Sequence, residues 1–231
     1  MRAFNYALAA VVGLVAIAGC TNDKNKDTPQ KSAAPWAQVQ PPEIAAAEAK
    51  AEMVKRGEQL VRMGGCSDCH TPMAFDPKIG MPVPQMDRFL SGHPEGAPDP
   101  TATPGKGDQA VIGPTFTSFR LPFGVVYAKN LTPDPDTGLR MTKDEFIATM
   151  RTGKHLGKDD GRPVLPPMPW MNFVASSDAD LGAMHAYLLA VKPVKNAIPD
   201  AKVPPPVIAE MGKLNSQTAA AAAPKPTASP L

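Results

Sequence analysis

Apolar and small residues recur at helical spacing between Glu43 and Met63: Val54, Gly57, Leu60, Val61 and Gly64 share one face, with Lys55, Glu58 and Arg62 elsewhere. This pattern predicts an amphipathic helix that Gly64-Gly65 brings to an end. A second helix is marked by Thr142 with Glu145 three residues on, a capping-box spacing, followed by an inner face of Phe146, Ile147 and Met150 and a stop at Gly153. A third opens near Ser177 with Asp178 and Asp180 in its first turn. It carries Leu181, Met184, Leu188 and Val191 at helical spacing, and Pro193 closes it. The stretch from Pro72 to Asn130 sustains no period of either kind and is dense in Pro and Gly. It predicts long irregular chain, with a short helix near Met86 to Ser91 and little strand.

The 231 residues suffice for one domain of ordinary size with appendages. Residues 1–19 carry Arg2 and an apolar run from Ala7 to Ala18, the pattern of an export signal, too short to span a bilayer comfortably. Its end, Val15-Ala16-Ile17-Ala18-Gly19-Cys20, resembles a bacterial lipobox and predicts lipid on Cys20. Cleavage after Ala18 is the competing reading and would leave a free thiol, a liability in an oxidising compartment. Residues 20–42 are polar, then rich in Pro, Gln and Ala, and predict a flexible tether with a span of roughly 25 Å. The folded domain is expected over residues 43–196. Residues 197–231, with Pro204-Pro205-Pro206 and the alanine run from Ala219 to Ala223, predict a mostly extended tail. The formal net charge of +2 offers no basic field for nucleic acid.

One pentapeptide carries chemistry: Cys66-Ser67-Asp68-Cys69-His70. Two thiols at this spacing, followed at once by an imidazole, read as a site of covalent c-type haem attachment, with His70 as one axial ligand to iron. A zinc site would need a fourth ligand from His93, His155 or His185, none of which shows the usual paired spacing. A redox-active Cys-X-X-Cys would start a helix after a strand, whereas this motif follows a helix. The haem would also supply the apolar mass around which irregular chain bearing Phe75, Met81, Met86, Phe89, Phe116 and Phe119 can pack.

The sixth ligand decides what the iron does, because a methionine sulfur closes the site for electron transfer and an empty position opens it to ligands or peroxide. Of twelve methionines, Met168 stands between prolines in Pro166-Pro167-Met168-Pro169, which restrict the backbone and fix where the thioether points. It also lies between the second and third helices, where the chain must pass the haem face opposite His70. Met171 is the runner-up. Arg162 and Trp170 are candidate donors to a haem propionate, with a solvated arginine and a packed tryptophan as the plain alternatives. His93 reads as a surface loop residue, and His155 and His185 as surface or helix-packing residues. His70 is expected to donate its second ring nitrogen to a backbone carbonyl, with Pro114 as the candidate. Gly105-Lys106-Gly107 lies in a Pro-rich loop with no strand before it and is no phosphate-cradling motif.

With these residues in view, the chain resembles bacterial monohaem c-type cytochromes of the class I fold. Arg56 to Arg62 resembles the N-terminal helix of that fold, and Asn130-Leu131-Thr132-Pro133-Asp134, Thr137-Gly138, Glu145-Phe146, Arg151-Thr152-Gly153, Pro167-Met168-Pro169-Trp170 and Asp178-Ala179-Asp180-Leu181 with Ala186-Tyr187-Leu188 are similar to segments of the cytochrome subunits of membrane-bound alcohol, aldehyde and gluconate dehydrogenases. The resemblance implies an all-α fold: three main helices around one covalent haem c, a long Pro/Gly-rich loop, disordered termini, and a crossing of first and last helices near Gly57 and Tyr187. It implies His70 and Met168 as axial ligands. The chain departs from those subunits in carrying one haem motif where they usually carry two or three, which favours a single-electron shuttle.

The expected function is therefore non-enzymatic: a one-haem electron carrier on the periplasmic side of a bacterial envelope, tethered by lipid. A membrane dehydrogenase or quinol oxidase would be its donor and another cytochrome or an oxidase its acceptor. A dedicated subunit of a dehydrogenase complex is the alternative, and a haem enzyme or gas sensor with open iron is the third reading.

Overall fold

The computed structural model describes residues 42–101 and 109–222. Cys20, the export signal, the tether up to Pro41, Gly105-Lys106-Gly107 and the last nine residues of the tail lie outside them.

The first helix, α1, spans Pro42–Met63. From Glu43 to Met53 it is exposed, and the chain begins to bury side chains at Val54, on the face that the spacing predicts. After the short helix α2, Cys66–His70, come a two-stranded antiparallel sheet, β1 Met73–Asp76 with β2 Met81–Pro84, and a single 3-10 turn at Met86–Arg88. A three-stranded antiparallel sheet follows, β3 Val111–Ile112, β4 Ser118–Leu121 and β5 Gly124–Tyr127. Helix α3 is Lys143–Thr152, α4 is Asp178–Leu188 and α5 is Pro205–Ala222.

Helix α1 packs chiefly on α4. A Cβ at Gly57 would overlap the Ala183 carbonyl and the Tyr187 Cβ, so only glycine lets the two backbones approach this closely. Arg56 and Asp180 pair across the same crossing at 2.9 Å. The expected capping box closes α3: Thr142 Oγ1 accepts from the Glu145 amide at 3.3 Å, and Glu145 Oε2 accepts from the Thr142 amide at 2.9 Å. Ser177 Oγ caps α4 by accepting from Asp180 N at 3.0 Å. Val61, Leu90, Phe146, Met150, Leu181, Met184 and Leu188 form the helical core.

Three expectations need correction. The fold is not purely helical, because two small sheets interrupt the stretch expected to be loop. Strands this short have no room to show a period, and prolines at Pro82 and Pro84 are tolerated in a two-stranded sheet, where each strand is an edge. The short helix near Met86 shrinks to one 3-10 turn. The tail is not mostly extended: Lys202 pairs with Val125 on β5, with N–O distances of 2.8 and 3.1 Å, and α5 then runs for 18 residues. Prolines at a helix start lose no intrahelical bond, and alanine is the best helix former, so a composition that reads as extended chain is also that of a helix opened by proline. Phe119, Val126 and Leu165 form a second core, with Ile208 and Met211 of α5 packed on it.

Candidate haem site

Between the two cores lies a cavity of about 440 Å³, within the range of cofactor pockets. The turn of chain after α1 positions its floor. Gly64 N bonds Leu60 O at 2.8 Å, and Gly65, at φ 64°, reverses the chain into α2. Cys66 and Cys69, three apart on one helical turn, fall on the same face. Cys66 packs against the helical core and Cys69 against the sheet core, and both line the cavity with His70.

The His70 Nδ1 lies 2.7 Å from the Lys129 carbonyl oxygen. Burial holds this imidazole below its ordinary pKa, partly opposed by the bond to Lys129. A neutral ring that donates from Nδ1 leaves Nε2 unprotonated, the form in which histidine binds a metal. The partner expected at Pro114 is thus replaced by Lys129. Its carbonyl is held in place by neighbouring main-chain bonds: His93 N to Ala128 O at 3.0 Å, Ala128 N to Thr117 O at 2.9 Å and Leu131 N to Leu90 O at 2.9 Å. Gly92, at φ 77°, donates to His70 O at 2.7 Å and lies against the Lys129 backbone, where a Cβ would clash.

Neither cysteine sits in a setting that would make a thiolate. Burial pushes the Cys66 thiol up to about 11, and burial with the nearby Asp68 carboxylate raises Cys69. A dithiol redox centre needs the opposite, a setting that favours the thiolate. Among the described residues, no cluster of three or more His, Cys, Asp or Glu side chains is arranged to hold a metal ion.

The segment Val164 to Pro169 forms another wall, and Met168 lines the cavity within it, its amide 3.2 Å from Leu165 O. Met171 is 45% exposed and is not part of the lining. Met141, Met150 and Met184 also reach the cavity. Met150 and Met184 are built into the helical core, and the Met141 sulfur accepts from Thr149 Oγ1 at 3.6 Å. Met168 packs against that core only from its edge, half-buried, and among the described residues no hydrogen bond engages its sulfur.

At one edge of the cavity Arg162, His155 and Lys129 come together. Burial and the Arg162 charge both lower the pKa of Lys129 and of His155. Among the described residues no carboxylate forms an ion pair with any of the three. Two of them, Lys129 and His155, carry no signal in the sequence. No local pattern marks either, because 26 residues of chain separate them and only the fold brings them together.

The other candidates are placed elsewhere. Trp170 is 2% exposed, with its indole packed against Gly153 at the end of α3, and is not part of the cavity lining. His93, expected on a surface loop, is wholly buried: its Nδ1 lies 3.0 Å from Thr117 Oγ1, and its ring rests on Tyr127. His185 packs within the helices, with Nε2 2.8 Å from Met141 O.

The donor set fits a haem held through two thiols. The cavity offers two cysteines on one face, a neutral imidazole with a free Nε2, the half-buried Met168 thioether, apolar walls, and cationic groups at one edge for a pair of carboxylates. Among the described residues no helix is long and apolar enough to cross a membrane.

No protein-family model matches the chain. Three curated relatives align with most of it. A nicotinate dehydrogenase subunit of Pseudomonas putida is 31% identical over 173 residues, 73% of this chain and 11% of that protein. The gluconate 2-dehydrogenase cytochrome c subunit of Pantoea cypripedii is 30% identical over 69% of this chain and 28% of its own length. The cytochrome c subunit of the quinone alcohol dehydrogenase of Gluconobacter oxydans is 29% identical over 69% and 26%. The chain thus spans between about a tenth and just over a quarter of the relatives it matches. A cavity with this donor set, in a chain aligned over some 70% of its length with such proteins, belongs to the family of dehydrogenase cytochrome c subunits.

Proposed function

We propose that this chain is an electron carrier with one covalent haem c, attached through Cys66 and Cys69 and ligated by His70 and Met168. The observation that carries the reading is that these four side chains, distant in type and partly in sequence, line one cavity with His70 Nδ1 committed to Lys129 O. When bound, the haem supplies a one-electron couple, and a thioether ligand raises its potential. The protein does the rest. Lys129 O orients the imidazole and strengthens it as a donor. The Pro-flanked segment presents the Met168 sulfur with little backbone freedom. Arg162 and Lys129 provide positive charge, and His155 a neutral ring nitrogen, at the edge where two propionates need donors. The apolar walls lower the polarity around the iron, and the Met168 sulfur, by occupying the sixth position, restricts the site to electron transfer.

A donor that is a membrane dehydrogenase, with this chain as a dedicated subunit, is supported by the relatives, whose names place them in nicotinate, gluconate and alcohol dehydrogenases. A lipid on Cys20 and a periplasmic location complete the reading, as does an acceptor that is another cytochrome or an oxidase. Intact mass of the protein made with haem-attachment machinery tests the core of it. One haem of added mass is expected, with Cys66→Ser and Cys69→Ser each retaining at most a single thioether. A mature chain without covalent haem would sink the proposal, and co-purification with a stoichiometric dehydrogenase would decide subunit against free shuttle.

A further inference from the structure

Helix α5 lies beyond the elements that the three-helix reading needs, yet it meets the cavity wall through one polar side chain. Asn215 is the one residue of α5 that is buried, 6% exposed. Its Nδ2 donates to Gly153 O at 2.7 Å and to Val164 O at 3.0 Å. Gly153 O also accepts from Val164 N at 2.7 Å. Val164 is therefore held at both its amide and its carbonyl, and Asn215 spans the two strands of chain that meet there.

Val164 opens the segment that ends at Met168 and Pro169. Prolines at 166, 167 and 169 have no N–H, so this segment cannot be fixed by a ladder of main-chain bonds. At its far end Pro169 O accepts from Asn172 N at 3.1 Å and Trp170 is buried against Gly153, while the anchors that involve α5 lie at its start. Val164 is bonded as described, and Leu165, 9% exposed, packs with Ile208 and Met211 of α5. Restricted φ angles make the segment stiff, so a shift at Val164 is carried to Met168 rather than absorbed on the way. Replacing the amide leaves Gly153 O with the Val164 amide as donor but strips the part-buried Val164 carbonyl of its own, a cost the loop relieves by moving out towards water.

We propose that Asn215 is a positioning residue for the sixth ligand: through Gly153 O and Val164 O it holds the Met168 loop against the haem face. This rests on the reading of Met168 as an iron ligand. The test uses the haem-loaded full chain in the ferric state and measures imidazole binding, which must displace the methionine, together with the far-red sulfur-to-iron absorption band. Asn215→Leu keeps the bulk and removes both donors. Ile208→Ala loosens α5 and leaves both bonds. Met168→Ala sets the fully open limit.

The expected result is imidazole affinity raised up to about tenfold by Asn215→Leu with a weakened band, and by less than about threefold with Ile208→Ala, since a lost hydrogen bond is worth at most roughly a factor of ten. Asn215→Ser, with one donor on a shorter arm, reads the same quantity if the leucine variant does not fold. Wild-type affinity and band in both Asn215 variants would overturn the proposal, as would equal effects of Asn215→Leu and Ile208→Ala. A wild type that lacks the band and binds imidazole as Met168→Ala does removes Met168 as ligand, and this proposal with it. The first two outcomes leave Met168 in place and remove the role of Asn215 alone.

Discussion

The Nδ1 of His70 and the carbonyl oxygen of Lys129, 59 residues apart, stand 2.7 Å from each other. A main-chain acceptor cannot be deleted by substitution, but Gly92 offers a lever, since a Cβ there would meet the Lys129 carbon and oxygen at 2.6 and 2.7 Å. Gly92→Ala is expected to push Lys129 O away and weaken the imidazole as a donor. A weaker donor stabilises ferric iron less, so the midpoint potential should rise, on the order of 50 mV or about tenfold in relative ferric affinity. Protein-film voltammetry reads this directly, and an unchanged potential with intact haem would mean that the bond does not tune the iron.

Arg162 supplies charge near the proposed propionates without an ion-pair partner among the described residues. Arg162→Gln removes a cation that disfavours the oxidised state, which carries one more positive charge. The potential should fall by some tens of millivolts, roughly 20–50 mV for an exposed charge at high effective dielectric, and the difference should shrink as salt is raised. A rise in potential would place Arg162 away from the haem edge.

Gly57 carries the closest approach of α1 and α4. Gly57→Ala should destabilise the protein by about 3 kcal/mol, because the added methyl meets backbone that cannot move aside. Urea denaturation is the measurement, and a change under about 0.5 kcal/mol, the level of a neutral surface site, would show that the helices can separate cheaply.

Asp99 joins the segment after the first sheet to the chain beyond α4. It accepts from Lys202 Nζ at 2.6 Å and from the Tyr127 hydroxyl at 2.5 Å, and Tyr127 lines the cavity. Lys202, then Tyr127, hold its carboxyl below the ordinary 3.8. The stability this contributes is present in full above the ordinary carboxylate value and is lost as pH falls through the lower folded one. Asp99→Asn should therefore be less stable than the wild type at pH 7, with the gap closing in acid below the ordinary value. Thermal melts across pH check this, and a gap constant with pH would refute it.

Legibility of this chain divides along physical lines. The faces of α1, α3 and α4 are readable because long helices repeat their pattern several times and carry caps at Thr142 and Ser177. The donor set at Cys66, Cys69 and His70 is readable because its spacing is local. The strands β1 to β5 are not, since four residues or fewer do not establish a period, and α5 is hidden because proline and alanine serve both an extended tail and a helix that proline opens. Lys129 and His155 gain their place only from the fold. Trp170 departs in the opposite sense: its neighbourhood in sequence suggests the cavity, while Gly153 offers a flat backbone for its ring.

The central claim, a closed one-haem electron-transfer site, turns on Met168. Absorption spectra of the purified haem protein and of Met168→Ala test it most directly. The wild type should show a low-spin ferric spectrum with a far-red sulfur-to-iron band that the variant loses, and ferrous haem should bind carbon monoxide readily only in the variant. A wild-type protein that lacks the band and binds carbon monoxide as readily as Met168→Ala would contradict it.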